Sequence, residues 1–175
     1  MAGYSNVIKG MHHSAYRCKD SEQTRQFYED LLGLRLALAM ELTATATGRP
    51  VKALHTFFEM GDHSFLAFFE LVGEEREGMF DSKSDFDLHI ALELPDVQTQ
   101  MAFLDKALSA GIEVRGPSMH GVAQSIYLRD PNGYVIELTA KLERYDEVMS
   151  QHLHHARAVL DQWQRTKFEA PVQGG

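Results

Sequence analysis

The chain has 175 residues, 44% of them hydrophobic and 24% charged, which suits one domain, or two small halves around a shared core. A formal net charge of −8 argues against nucleic acid or an anionic membrane as partner, since both select basic surfaces. The single cysteine, Cys18, excludes an intrachain disulfide and fits a reducing cytoplasm, while the N-terminus lacks a signal-peptide pattern and no apolar run reaches the ~18 residues of a membrane span.

Residues 11–18 alternate as a strand, after which Asp20 caps a helix with Gln23 at its third position, as in a capping box. Phe27, Tyr28, Leu31 and Leu32 form that helix's apolar face, and Gly33 stops it. Three further strands are predicted at 34–44, 51–60 and 64–71, broken by Gly48-Arg49-Pro50 and Gly61-Asp62. Residues 73–85 are polar and glycine-containing and read as a linker.

The second half begins with a strand at 87–94. Asp96 caps a helix whose face is Val97, Met101, Leu104 and Leu108, and Gly111 ends it. Strands follow at 112–117, 123–129 and 134–140, the last two joined by the tight turn Asp130-Pro131-Asn132-Gly133. Residues 141–168 form a long amphipathic helix with Tyr145, Met149, Leu153, Ala156, Leu160 and Trp163 as its stripe; it is expected to pack on the sheet or on a second subunit. The tail 169–175 is expected to fray.

The two halves repeat one another. His13-Ser14-Ala15 to Asp20 and His89-Ile90-Ala91 to Asp96 share the pattern His-x-Ala-x4-Asp, each at a strand that feeds a helix. The fold class is therefore α+β: one domain over 1–175, built of two βαβββ modules at 10–72 and 86–140 plus the C-terminal helix at 141–168.

Two such units, with Phe27-Tyr28…Leu32-Gly33 and the closing run Ser125 to Leu138 through Asp130-Pro131-Asn132-Gly133, resemble the vicinal oxygen chelate superfamily. That group holds glyoxalase I, methylmalonyl-CoA epimerase, fosfomycin- and bleomycin-resistance proteins and extradiol dioxygenases. The resemblance implies a cupped mixed sheet with a divalent metal inside. Carried onto this chain, the ligands are His13 and His89 from the first strands and Glu137 from the last. Two imidazoles and one carboxylate suit a divalent ion and leave positions for substrate or dioxygen. Fe(II) is favoured; Mn(II), Zn(II) and Ni(II) are the other candidates. His12 is expected to point to the opposite side from His13.

A fourth ligand position, which lyases and epimerases of the family fill with Glu or Gln, lies in Ser64 to Leu71. One register puts Glu70 there; the other, which we favour, puts Ala67 there and turns Glu70 to the far face. The Ala67 register leaves a 2-His-1-carboxylate triad of the non-haem Fe(II) type; the Glu70 register gives a four-ligand site suited to Lewis-acid isomerisation.

Tyr127, ten residues before Glu137, resembles the active-site tyrosine of extradiol enzymes, and His120 the loop histidine that many relatives carry at the cup mouth; both are candidate catalytic groups. His55 is read mainly as core packing. Among Phe57, Phe58, Phe65, Phe68 and Phe69 the inward half is available to clamp a planar substrate. His152, His154 and His155 read as a solvated helix face, and His63 is given no role.

These readings imply an Fe(II)-dependent extradiol-type dioxygenase acting on a catechol-like or other bidentate oxygen substrate. The alternatives are a glyoxalase- or epimerase-like lyase or isomerase, and a non-catalytic binder of a small aromatic molecule or antibiotic. The expected partners are a small-molecule substrate and a second copy of the chain, as a homodimer.

Overall fold

The computed structural model describes residues 7–84 and 86–168. The duplication read from the sequence is visible as two four-stranded mixed sheets. The first has strand order β1 (His13–Arg17), β4 (Phe65–Leu71), β3 (Pro50–Glu59), β2 (Arg35–Ala44). The second repeats it as β5 (His89–Leu94), β8 (Val135–Lys141), β7 (Ala123–Arg129), β6 (Val114–Met119). In each, the first strand runs parallel to the last and the others are antiparallel.

The predicted caps form. The Asp20 carboxylate accepts from Gln23 N at 2.7 Å and the Asp96 carboxylate from Thr99 N at 2.7 Å, satisfying free donors at the starts of α1 (Ser21–Arg25) and α2 (Val97–Ser109). α1 runs directly into π-helical turns at Gln26–Leu31. α3 (Tyr145–Thr166) starts later than the sequence pattern suggested. β6 continues through Gly116 and Pro117 to Met119, with a register shift between Arg115 and Ser118, so Met119 belongs to a strand and not to a loop. No helix of the described residues is long and apolar enough to cross a membrane.

Period-two alternation sorts each sheet into two faces. The helix-side faces form one core that joins the modules: Tyr28, Phe58, Leu66 and Phe68 from the first, Ile126, Leu128, Ile136 and Leu138 from the second. Polar ties lock the same junction. Tyr28 OH donates to Asp130 Oδ2 at 3.0 Å, Lys19 N to Asn132 Oδ1 at 2.8 Å, and Tyr134 OH to the Arg17 carbonyl at 2.7 Å. The described part of the linker, 73–84, is tied to the second module: Lys83 N donates to Gly133 O at 2.8 Å, and Arg129 donates to Lys83 O at 2.6 Å. Gly133 has φ +82, and a Cβ there would collide with the Asp81 carbonyl, so both the turn and the packing require glycine.

Cys18 is 2% exposed, and burial pushes its thiol up to about 11. The thiolate is the reactive form, so Cys18 should resist an aromatic disulfide reagent at pH 8 in the folded protein and react at once in denaturant. Stoichiometric labelling of the native chain would contradict this burial.

Candidate metal centre

The register of the two sheets shows which residue of β4 corresponds to Glu137. His13 lies opposite Phe65 and Ala15 opposite Ala67; in the repeat, His89 lies opposite Val135 and Ala91 opposite Glu137. Ala67 is therefore the counterpart of Glu137. Glu70 faces the other side, where its carboxylate accepts from Ser21 N at 2.7 Å and serves the start of α1.

Around Glu137 the second sheet gathers a polar cluster. His89 Nε2 stands 2.5 Å from Glu137 Oε2, with Glu137 the more buried partner at 13% side-chain exposure against 31% for His89. On the neighbouring strand Tyr127 lies opposite Glu137, and its hydroxyl donates to Oε1 at 3.4 Å. His120 Nε2 is 2.6 Å from the same hydroxyl, having reached it from the loop beyond β6. The Arg115 guanidinium lies 5.2 Å from the centre of the Tyr127 ring. Burial, followed by the Glu137 carboxylate, raises the Tyr127 phenol, which keeps it a proton donor at neutral pH. Four of the five residues singled out from the sequence thus come together: His89, Glu137, Tyr127 and His120.

His13 does not join them within one chain. Among the described residues no group of three His, Cys, Asp or Glu side chains is disposed to hold a metal. The reason is the way the modules pack. Met11, just before β1, shares a cleft with Leu94 and Pro95 at the end of β5. The other end of β1 meets Tyr134, next to β8, through the Arg17 carbonyl. The first strands of the two modules therefore lie head to tail, and His13 and His89 sit at opposite ends of that pairing.

His13 instead faces an aromatic patch on the first sheet. Its ring is 5.4 Å from Phe57 and 6.5 Å from His55, and its Nδ1 is 2.7 Å from His12 Nδ1. His12 was expected on the opposite side; it precedes the regular strand, so alternation does not constrain it. Phe57 lies opposite Ala67 as Tyr127 lies opposite Glu137. The repeat is thus chemically asymmetric, with Glu137 and Tyr127 in one half and Ala67 and Phe57 in the other.

His55, read mainly as core packing, is packed, and it lies on the face that His13 shares. Its ring is buried, stacked on Phe69 at 3.6 Å between centroids and 12° between planes. Its Nδ1 lies 2.9 Å from the Phe68 carbonyl. A carbonyl only accepts, so Nδ1 carries a proton, and in the neutral ring Nε2 is the nitrogen with the free lone pair. Alternation along β3 puts His55 and Phe57 on one face with Ala67 and His13.

The chain has known relatives. The model of the glyoxalase/bleomycin resistance protein/dioxygenase superfamily matches residues 10–138. The chain belongs to this superfamily. It is 30% identical over 137 residues to a probable lactoylglutathione lyase of Synechocystis, covering 77% of this chain and 97% of that one. It is 29% identical over 129 residues to another from Vibrio parahaemolyticus, covering 72% and 86%. Among solved structures, a glyoxalase family protein from Bacillus cereus superposes with a TM-score of 0.64 at 15% identity, covering 81% of this chain and 99% of that one. A fosfomycin resistance protein from Listeria monocytogenes, complexed with Mn(II), gives 0.55 at 18% identity, covering 75% and 92%. These structural likenesses show the fold. The relatives named here are probable lactoylglutathione lyases, which favours the lyase alternative over the oxygenase expected from the sequence.

Proposed function

We propose that this chain is a divalent-metal-dependent lyase or isomerase acting on a small substrate that chelates through two adjacent oxygens, as a 2-oxoaldehyde–thiol adduct does. The His89–Glu137 pair supports this reading: an imidazole nitrogen and a carboxylate, both lone-pair donors, converge at 2.5 Å beside a phenol and a second imidazole. Such N/O donors fit Zn(II), Ni(II), Mn(II) or Fe(II). His13 of a second copy of the chain would supply the third ligand. When bound, the ion supplies positive charge that lowers the pKa of the chelated substrate and stabilises an enediolate.

The protein's own groups divide the remaining work. Glu137, held by Tyr127, fixes the direction of the donor set. His120 and Tyr127 exchange a proton across 2.6 Å at the mouth of the cluster. His55, whose neutral form has its lone pair at Nε2, takes a proton from a substrate carbon and returns it to the neighbouring one. Phe57, Phe65 and Phe69 exclude water on that side.

One observation favours a second reading. Ala67 at the fourth position leaves a three-ligand set, the pattern of extradiol dioxygenases. Two assays on metal-loaded protein separate the readings: thioester formation from methylglyoxal and glutathione, and oxygen uptake across a catechol panel. Thioester formation with Glu70→Gln unimpaired is the expected result. Under this mechanism His55→Gln lowers kcat by roughly 100-fold or more with metal content unchanged. Oxygen uptake alone would install the dioxygenase. Silence in both assays from a metal-loaded protein would leave a binding protein and overturn both.

A further inference from the structure

α3 has 22 residues and buries none of them. Met149, Leu153, Leu160 and Trp163 are 47%, 76%, 49% and 62% exposed. In water a helix of this length gains most of its stability from packing an apolar face, so this stripe lacks what normally holds such a helix together.

The stripe has an internal symmetry. Met149, Leu153, Ala156, Leu160 and Trp163 follow alternating steps of four and three, the spacing of a coiled-coil seam. Read from either end, it runs large, medium, small, medium, large. Ala156, the smallest member, is at the middle of the helix. A two-fold axis through Ala156 would set Met149 of one copy against Trp163 of the other, Leu153 against Leu160, and Ala156 against itself. A surface complementary to its own rotated image is what an isologous dimer requires.

Charge selects the direction. The first turn of α3 carries Asp146 and Glu147, and the last turn carries Arg165. An antiparallel pair sets acid beside base and opposes the helix dipoles; a parallel pair sets like beside like. Arg157 flanks the seam near the axis, and Asp161 at 3.0 Å offsets its charge.

We infer that α3 pairs antiparallel with α3 of a second copy of this chain, on a two-fold axis through Ala156. Five seam residues per copy are fewer than the ~20–30 a side of a standard interface, so the helix pair is one part of a larger contact between copies. The inference shares the dimer with the site reading above, but its test reads the helices without reference to activity.

Cysteine crosslinking of the full chain makes that test, because Cys18 is buried and does not compete. Under mild oxidation Ala156→Cys should convert mostly to a disulfide-linked dimer, while Ala158→Cys, on the outer face, stays monomeric on a non-reducing gel. Met149→Cys alone should not crosslink, since in the antiparallel pair its two copies stand about 21 Å apart along the axis. A mixture of Met149→Cys and Trp163→Cys should crosslink. Self-crosslinking of Met149→Cys would show a parallel pair and overturn the inference. So would an Ala156→Cys protein that stays uncrosslinked, whether light scattering finds it dimeric or monomeric. Loss of the crosslinks in an active enzyme would remove the seam and leave the site reading standing.

Discussion

If the proposed centre holds a divalent metal, Glu137→Ala should strip it and lower turnover by at least about 100-fold, the upper end of what loss of a group merely supporting a ligand costs. Glu137 is the hub of the cluster: one carboxylate oxygen faces His89 Nε2 at 2.5 Å and the other accepts from Tyr127 at 3.4 Å. Elemental mass spectrometry against the wild type checks the metal, and thermal unfolding checks that the fold survives. Because the Glu137 carboxylate contributes to the raised Tyr127 pKa, any residual activity should also show its alkaline limb at lower pH. Wild-type metal content and rate in the variant would remove Glu137 from the ligand set and sink the proposed centre.

Asp130→Ala should be the most destabilising single change outside the hydrophobic core. The Asp130 side chain is the shared acceptor of the module junction: Oδ1 takes Asn132 N at 2.9 Å and Tyr134 N at 2.8 Å, and Oδ2 takes Tyr28 OH at 3.0 Å and Asn132 Nδ2 at 2.9 Å. Removing it strands four donors in a buried place, at about 1–3 kcal/mol for each one left unsatisfied. Partial rescue by water and relaxation brings the expected loss to about 4 kcal/mol, roughly 8–16 °C in Tm for a chain of this size. Tyr28→Phe removes one of those donors and should cost less than half as much.

Burial outweighs the donors and holds the Asp130 carboxyl above its ordinary 3.8. The folded state therefore binds the proton more tightly than the unfolded chain. This contribution to stability is full below pH 3.8 and declines as pH rises through the folded pKa. Compared across that window, Asp130→Asn should lack this component. A Tm for Asp130→Ala within 3 °C of wild type would show that the junction does not depend on this acceptor.

Much of the molecule was legible before the structure. The His-x-Ala-x4-Asp repeat announced two equivalent modules because a strand that feeds a capped helix leaves a fixed local signature, with Asp20 and Asp96 as the caps. Alternation divided the five phenylalanines of β3 and β4 between two faces, and the structure shows Phe58 and Phe68 to be the core pair. The ten-residue spacing of Tyr127 and Glu137 across the Asp130–Gly133 turn fixed their pairing on neighbouring strands. All of these are local, set by backbone period and turn chemistry.

What the sequence left open depended on packing over longer range. The register of β4 against β1, which puts Ala67 and not Glu70 opposite Ala15, is a choice among pairings that differ by a residue or more, and short apolar strands specify it weakly by themselves. The orientation of the packed His55 ring, with Nδ1 toward the Phe68 carbonyl, is likewise set by the neighbouring strand. The separation of His13 from His89 was beyond reach altogether, because a repeat shows that two residues are equivalent and not where the modules put them. The helix-side cores of the modules decide that: they seal Tyr28 against Asp130 and set the first strands head to tail.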